Sequence, residues 1–172
     1  MAARLALSRT LRWFCAALLL AGALLGSLHA DWDFSLISRR ATALYGPLGE
    51  GQPRIDAWQH LLATQKQVPE REQLKVVNLF FNKNMRYVED IDLWHQVDYW
   101  ETPIEALWKG AGDCEDYAIA KYFSLRHLGV SSDKLRITYV KALRQNRAHM
   151  VLTYYSSPVS YTHLRAHETR ED

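Results

Sequence analysis

The sequence predicts an α+β domain in which a helical N-terminal half is followed by an antiparallel hairpin. Apolar residues recur at helical spacing between residues 53 and 84 and again between residues 113 and 128. Two alternating segments, 135–140 and 148–155, flank a polar turn and are typical of paired strands. The chain has 172 residues, of which 48% are hydrophobic, so one domain with a substantial core is expected.

Residues 1–30 are predicted to be a signal peptide. Arginines at the start precede an apolar run from Trp13 to Leu25, which is short for a membrane span. The small residue Ala30 permits cleavage after it, and an uncleaved anchor is the alternative. Export would place the protein in the periplasm of a Gram-negative bacterium.

The next segment, residues 31–52, is expected to be irregular or to contain a short strand, because a Gly-Pro step and a further glycine interrupt it. Pro53 is predicted to open a helix that ends near Thr64. Pro69 is predicted to open a second helix that ends near Asn84. The aromatic residues of these helices are expected to be core.

Residues 85–101 break the helical periodicity and are predicted to form a long loop. The loop carries Trp94, Tyr99 and Trp100 together with several acids. Aromatic loops beside a reactive residue often line a substrate cleft. The alternative is a loop that its tryptophans pin to the core.

A strong helix start follows at Thr-Pro-Ile-Glu, residues 102–105, where the threonine and the glutamate form a capping box. This short helix should stop by Gly110. Another helix is predicted from about Asp113 to Leu128, with Gly129 as its C-terminal stop.

The tail, residues 158–172, lacks strand alternation and resembles translated sequencing-adapter read-through, so we exclude it from the predicted domain. The domain is therefore expected to span residues 31–157, with its natural C-terminal end missing. The net charge is +2, with no basic stripe carrying interleaved aromatics, and nucleic acid is not a favoured partner.

Cys114 is the candidate nucleophile. The other cysteine, Cys15, lies in the predicted signal peptide, so Cys114 has no disulfide partner in the exported chain. A reactive cysteine must be a thiolate, and a helix N-terminus favours negative charge. His149, at the start of the second predicted strand, is the candidate general base. The alternatives are a small buried hydrophobic cysteine and a structural histidine.

Three carboxylates surround this cysteine, at Asp113, Glu115 and Asp116. They would repel a thiolate and raise its pKa. Helix capping accounts for part of the pattern, with Asp113 as N-cap and Asp116 at the capping-box position. The other explanation is a cation held by these acids, and clustered oxygen ligands favour calcium or magnesium. The spacing is not that of an EF-hand.

Several stretches resemble the bacterial transglutaminase-like cysteine proteinases of the LapG type. They are Gly-Asp-Cys-Glu-Asp-Tyr-Ala at 112–118, the strand at 135–142, Ala-His-Met-Val-Leu at 148–152 and Asp-Tyr-Trp-Glu-Thr-Pro at 98–103. The resemblance covers roughly residues 31–157. It implies a papain/transglutaminase-like core, with the catalytic cysteine at a helix N-terminus packed on an antiparallel sheet.

The resemblance also implies a function. Proteinases of this type are periplasmic, calcium-dependent endopeptidases that cleave the N-terminal region of large RTX surface adhesins and so disperse biofilm. An inner-membrane cyclic-di-GMP receptor sequesters them. By resemblance Cys114 is the nucleophile, His149 is the base, and Asp113, Glu115 and Asp116 are calcium ligands. The backbone N–H of Cys114 and an indole from Trp94, Trp100 or Trp108 would form the oxyanion hole.

One departure from the family pattern affects the expected activity. The resemblance places the third member of the triad, an aspartate, on an aliphatic strand after the histidine strand, and residues 158–172 contain no such run. We therefore expect a truncated chain with weak or no activity. The alternatives are a transglutaminase or amidase on the same fold, and an inactive calcium-binding module.

Overall fold

The computed structural model describes residues 32–144 and 146–157. The predicted signal peptide and the tail 158–172 lie outside the described residues. All elements given below belong to the compact unit that begins at Phe34. Among the described residues, no helix combines the length and the apolar character needed to cross a membrane.

Helices dominate the first two thirds of this unit, and the hairpin follows them. The helices are α1 (Phe34–Tyr45), α2 (Gly51–Thr64), α3 (Glu70–Asn84), α4 (Asp90–Leu93), α5 (Pro103–Lys109) and α6 (Cys114–His127). The strands are β1 (Arg86–Tyr87), β2 (Ala111–Gly112), β3 (Leu135–Ala142) and β4 (Arg147–Tyr154). This confirms the predicted α+β fold class.

The predicted starts and ends of α3, α5 and α6 are confirmed to within one residue, as is the end of α2, whereas α2 begins at Gly51 instead of Pro53. At α5 the Thr102 side chain accepts the Glu105 N–H at 3.2 Å, and a Glu105 carboxylate oxygen accepts the Thr102 N–H at 2.9 Å. Gly110 ends that helix in the left-handed region, with φ 65°. Helix α6 ends at His127, just before Gly129, whose φ is 102°.

The expectation for residues 31–52 is wrong, because most of this segment is helix α1. Gly46 lies after the helix and ends it, with φ 85° and an N–H that donates to Thr42 O at 3.0 Å. Phe34 and Ala41 are seven residues apart and face the interior. Phe34 packs edge-on against Trp58, with ring centroids 5.4 Å apart.

The prediction of a plain loop for residues 85–101 is wrong in part. Strand β1 pairs in parallel with β2, so that Tyr87 lies opposite Gly112. The Val88 N–H extends the pairing by donating to Gly112 O at 3.0 Å. The single turn α4 follows. These short contacts bring the start of the segment beside Cys114.

The apolar interior lies between α2, α3 and α6. Ile55 and Trp58 of α2 and Phe81 of α3 are almost completely buried. The Trp58 indole N–H donates to Ser124 Oγ of α6 at 2.8 Å, so the polar atom of the buried ring is satisfied. The prediction that the aromatic residues of the two early helices are core is thus confirmed for Trp58 and Phe81, whereas Phe80 is half-buried.

The predicted antiparallel hairpin is confirmed. β3 and β4 pair along their whole length, with Val140 opposite His149 and Tyr139 opposite Met150. Strand β4 packs against α6, the helix that begins at Cys114. The fold therefore places the first turn of α6 against the strand that carries His149.

Candidate active site

Cys114 is the first residue of α6, and Asp113 is the N-cap. The chain approaches the helix through Gly112, where an added Cβ would lie 2.8 Å from Asp116 Oδ2. Glycine is therefore needed for this close approach. The thiol is free and half-buried. The predicted position of the cysteine at a helix start is confirmed.

The surroundings of the sulfur disfavour a thiolate, as the sequence predicted. Burial, followed by a hydrogen bond to Glu115, raises the pKa of the Cys114 thiol to about 12. The Sγ–Oε2 distance to Glu115 is 3.1 Å. The backbone N–H of Met150 faces the sulfur and acts to lower the same pKa, but its effect is smaller.

His149 lines the same cleft as Cys114, and its side chain is half-buried. The Met150 N–H interacts with the Cys114 sulfur, and His149 is the residue before Met150 on β4. The two residues selected from sequence are 35 positions apart. The hairpin brings them together.

The cleft has a volume of about 440 Å³ and two walls. One wall comes from the segment 85–101 and contains Tyr87, Glu89, Val97, Asp98 and Trp100; the other comes from the hairpin and contains Tyr139 and residues 147–150. The Arg147 guanidinium joins the walls by donating to Tyr87 and Glu89.

The aromatic residues of the segment 85–101 divide between the cleft and the packed interior of the loop, and whether the cleft binds a substrate stays a prediction. Trp100 is 55% exposed and lines the cleft. Trp94 is pinned, because its indole donates to the buried Glu101 and its ring packs on Tyr99 at 4.6 Å.

A group of acids is buried next to the cysteine. The acids that are less than a tenth exposed are Asp90, Glu101, Glu105, Asp113 and Asp116. Among the described residues, no lysine or arginine is buried to that degree. Buried charges without a counter-charge are costly, so this region requires either bound protons or a cation.

Two overlapping sets of acids, which include less buried neighbours of this group, have the spacing of a metal site. Asp90, Asp113 and Asp116 offer oxygens within 4.8 Å of one another, and so do Asp90, Asp98 and Glu115. Sequence reasoning selected Asp113, Glu115 and Asp116 but missed Asp90 and Asp98. The only local signal for these two was the acidic character of the loop.

The side chain of Asp116 holds the backbone. Its Oδ1 accepts the Glu101 N–H at 2.8 Å and its Oδ2 accepts the Asp113 N–H at 2.9 Å. The second bond is the predicted capping-box contact. Asp116 is completely buried, so these bonds satisfy two backbone donors that water cannot reach.

The pKa values reflect this crowding. Burial, with a hydrogen bond to Glu115, raises the pKa of Asp113 to about 8. Burial raises the pKa of Asp116 to about 6, against the two backbone donors that lower it. For Glu115, burial acts to raise the pKa, but hydrogen bonds from Asp113 and Cys114 prevail and lower it.

Comparison with known proteins gives a match over most of the described domain. The family model of the bacterial transglutaminase-like cysteine proteinases matches residues 53–158. The chain belongs to this family. A comparison with curated proteins finds no match.

Solved structures of LapG from Legionella pneumophila are similar to this chain. One is 42% identical, with a TM-score of 0.63, and the match covers 75% of this chain and 69% of that chain. A calcium-bound LapG structure is 42% identical, with a TM-score of 0.62 and coverage of 74% and 68%. An EGTA-treated LapG structure is 42% identical, with a TM-score of 0.62 and coverage of 75% and 67%.

The acids of this proteinase-family domain fit a hard cation. Asp90 Oδ1 and Asp113 Oδ1 are buried and have no hydrogen-bond partner among the described residues. The available donors are carboxylate oxygens, which suit calcium or magnesium better than a softer metal. Asp90, Asp98, Asp113, Glu115 and Asp116 all belong to these sets, and both oxygens of Asp116 in addition accept a backbone N–H.

The three indoles considered for the oxyanion hole lie in different places. Trp100 lines the cleft, with its N–H directed to Asp98 Oδ1 at 2.9 Å. The N–H of Trp94 is occupied by Glu101. Trp108 stacks on Tyr45, with ring centroids 5.1 Å apart, and does not line the cleft.

Proposed function

We propose that this chain is a calcium-dependent cysteine endopeptidase in which Cys114 is the nucleophile and His149 is the general base. The observation that carries the proposal is the contact between β4 and the helix N-terminus, which puts the Met150 N–H at the Cys114 sulfur and His149 in the same cleft. Membership of a cysteine proteinase family agrees with that chemistry.

The reaction is acyl transfer through a thioester. His149 takes the proton of the thiol, and the sulfur attacks the carbonyl carbon of the scissile peptide bond. The C–N bond then breaks, and the amine leaves with the proton from His149. Water, deprotonated by His149, hydrolyses the thioester and restores the thiol.

The developing oxyanion needs donors that are already in place. The N–H of Cys114 lies in the first turn of α6, where backbone donors have no partner within the helix. Trp100 is the candidate for the second donor, because it is the indole of the three that lines the cleft. Its N–H would have to leave Asp98 to serve in this way.

We infer that Asp90, Asp98, Asp113 and Glu115 hold the calcium ion. The orphaned oxygens of Asp90 and Asp113 support this choice, and so does the existence of a calcium-bound LapG structure. A bound cation supplies positive charge that offsets the carboxylates around the sulfur, so that the thiolate can form at neutral pH. Asp116 contributes by holding the backbone of Asp113 in place.

The family resemblance extends the proposal to substrate, place and partner. The substrate is the N-terminal region of a large RTX adhesin, whose cleavage would release the adhesin and disperse biofilm. The protease works in the periplasm after export by residues 1–30. An inner-membrane cyclic-di-GMP receptor is the proposed regulator.

Incubation with an N-terminal RTX-adhesin fragment in calcium tests the proposal. We expect a discrete but weak cleavage, because no acid that orients His149 is assigned, and Cys114→Ala and His149→Ala should each abolish it. His60→Ala removes an exposed histidine from α2 and is the matched control. Unchanged cleavage by Cys114→Ala would contradict the proposal, and amine incorporation without cleavage would identify a transglutaminase.

A further inference from the structure

Two acids of the buried group beside Cys114 hold the backbone of the cleft wall. The Tyr99 N–H donates to Asp90 Oδ2 at 2.6 Å. The Glu101 N–H donates to Asp116 Oδ1 at 2.8 Å. Trp100 lies between these two anchored amides, and its side chain lines the cleft.

Asp90 differs from the other acids in its burial and its contacts. It is 3% exposed, it belongs to both sets of acids with metal-site spacing, and its Oδ1 has no partner among the described residues. One oxygen therefore holds the cleft wall, and the other is available to a cation shared with Asp113 or Glu115.

The side chain of Trp100 is also hydrogen-bonded to one of the acids. Its indole N–H donates to Asp98 Oδ1 at 2.9 Å, and Asp98 is a member of the second acid set. The tryptophan is thus connected to the acids through the amide before it, the amide after it and its own side chain. A change in the positions of these acids must change the position of Trp100.

We propose that Asp90 is a positioning residue that couples cation binding to the placement of Trp100, so that the cation builds the substrate-facing wall of the cleft. The inference rests on the calcium site proposed above. Without a cation, the carboxylates repel one another, and Asp90 can reduce this repulsion by turning away from Asp113, which releases the Tyr99 amide. With a cation, Asp90 Oδ1 is neutralised and Oδ2 keeps that amide.

The consequence concerns substrate binding as well as the thiol. Trp100 and the almost fully exposed Val97 offer apolar surface beside Cys114. Ordering this surface favours a peptide that places an apolar side chain against it. Calcium then lowers KM as well as raising kcat, whereas a cation that acted on the thiol alone would change kcat alone.

Amide hydrogen exchange on the full chain, with calcium chloride or with EGTA, tests the coupling. We expect calcium to slow exchange at the Tyr99 and Glu101 amides by roughly tenfold or more in the natural chain. Asp90→Asn keeps an oxygen for the Tyr99 N–H but lacks the charge, so the calcium-dependent slowing should disappear. Asp92→Asn removes an exposed acid from the same helix turn and should retain it.

Two further measurements keep the result interpretable. Calorimetric titration with calcium shows whether the natural chain binds the ion at all. The natural chain should show a calcium-dependent change in tryptophan fluorescence, and this change should be lost in Trp100→Phe. This test remains valid even if Asp90→Asn does not fold.

A failure of the calcium site and a failure of the coupling give different results. Absence of calcium binding by the natural chain overturns both the calcium site and the coupling. Calcium binding without a change at the Tyr99 and Glu101 amides overturns the coupling alone. A calcium response in Asp90→Asn equal to that of Asp92→Asn also overturns the role of Asp90.

Discussion

The interior between α2, α3 and α6 and the acid region beside Cys114 are buried to the same degree but are built on opposite principles. Trp58 is 1% exposed, and its indole N–H donates a hydrogen bond to Ser124 Oγ. Asp116 is completely buried, among other acids. The unpartnered buried side-chain oxygens among the described residues are Asp90 Oδ1, Glu101 Oε2 and Asp113 Oδ1, and all lie in the acid region.

The difference separates stability from function. Apolar burial stabilises the fold by about 25 cal/mol per Å² removed from water and needs no cofactor. Burying like charges costs free energy, and such costs are concentrated at functional sites. The interior should therefore hold the fold under all conditions, and the acid region should respond to calcium and to pH.

The largest expected effect is a loss of stability caused by a substitution in the apolar interior. Phe81→Ala removes a fully buried ring and should lower the free energy of unfolding by about 3–5 kcal/mol. The loss should be equal with calcium and with EGTA, as measured by urea denaturation. Leu79→Ala, which removes a 56% exposed side chain from the same helix, is the control and should cost far less. A calcium-dependent loss for Phe81→Ala would show that the two regions are not separate.

A smaller effect is expected from pH in calcium-free buffer. Burial raises the pKa of Asp113 and of Glu101 to about 8, and that of Asp116 to about 6. The folded state therefore binds more protons than the unfolded state between about pH 4 and pH 8, and stability must fall as pH rises through this window.

Thermal unfolding checks this sign. In calcium-free buffer the midpoint should be higher at pH 5 than at pH 8, and saturating calcium should reduce the difference by offsetting the charges at pH 8. In calcium-free buffer, Asp113→Asn should reduce the difference in unfolding midpoint between pH 5 and pH 8. A midpoint that rises from pH 5 to pH 8 in calcium-free buffer would show that the acids are not desolvated as described.

The smallest effect tests whether burial, rather than charge, makes the acid region distinctive. Glu70 joins α3 to the hairpin by accepting from Tyr154 and from Lys134, the latter at 2.9 Å and 3.0 Å. These hydrogen bonds, that of Tyr154 first, lower the pKa of Glu70. The pair is partly exposed, so solvent screens it.

Glu70→Gln should lower the unfolding midpoint only slightly at neutral pH. The contribution is present above the ordinary pKa of glutamate and should be lost as pH falls through the lower folded-state pKa. Glu72→Gln on the same turn, whose contact with Lys75 is 3.9 Å, should change less. Any response of either variant to calcium would contradict the confinement of calcium dependence to the acid region.

Local patterns in the sequence were sufficient for much of the fold and for part of the site. The capping residues of α5 and α6, the alternation of β3 and β4, and Cys114 at a helix start are determined by neighbours a few residues away. The glycines after α1 misled the prediction because they mark a helix end as well as an irregular segment.

By itself, the sequence determined that a cysteine would stand at the tip of a helix among Asp113, Glu115 and Asp116, and that a histidine would begin a later strand. Only the tertiary structure decided which other acids join them. The two-residue pairing of β1 with β2 has no recognisable local pattern, yet it sets α4 beside α6 and so brings Asp90 to Asp113. Such contacts depend on how distant segments pack, and short-range periodicity carries no information about them.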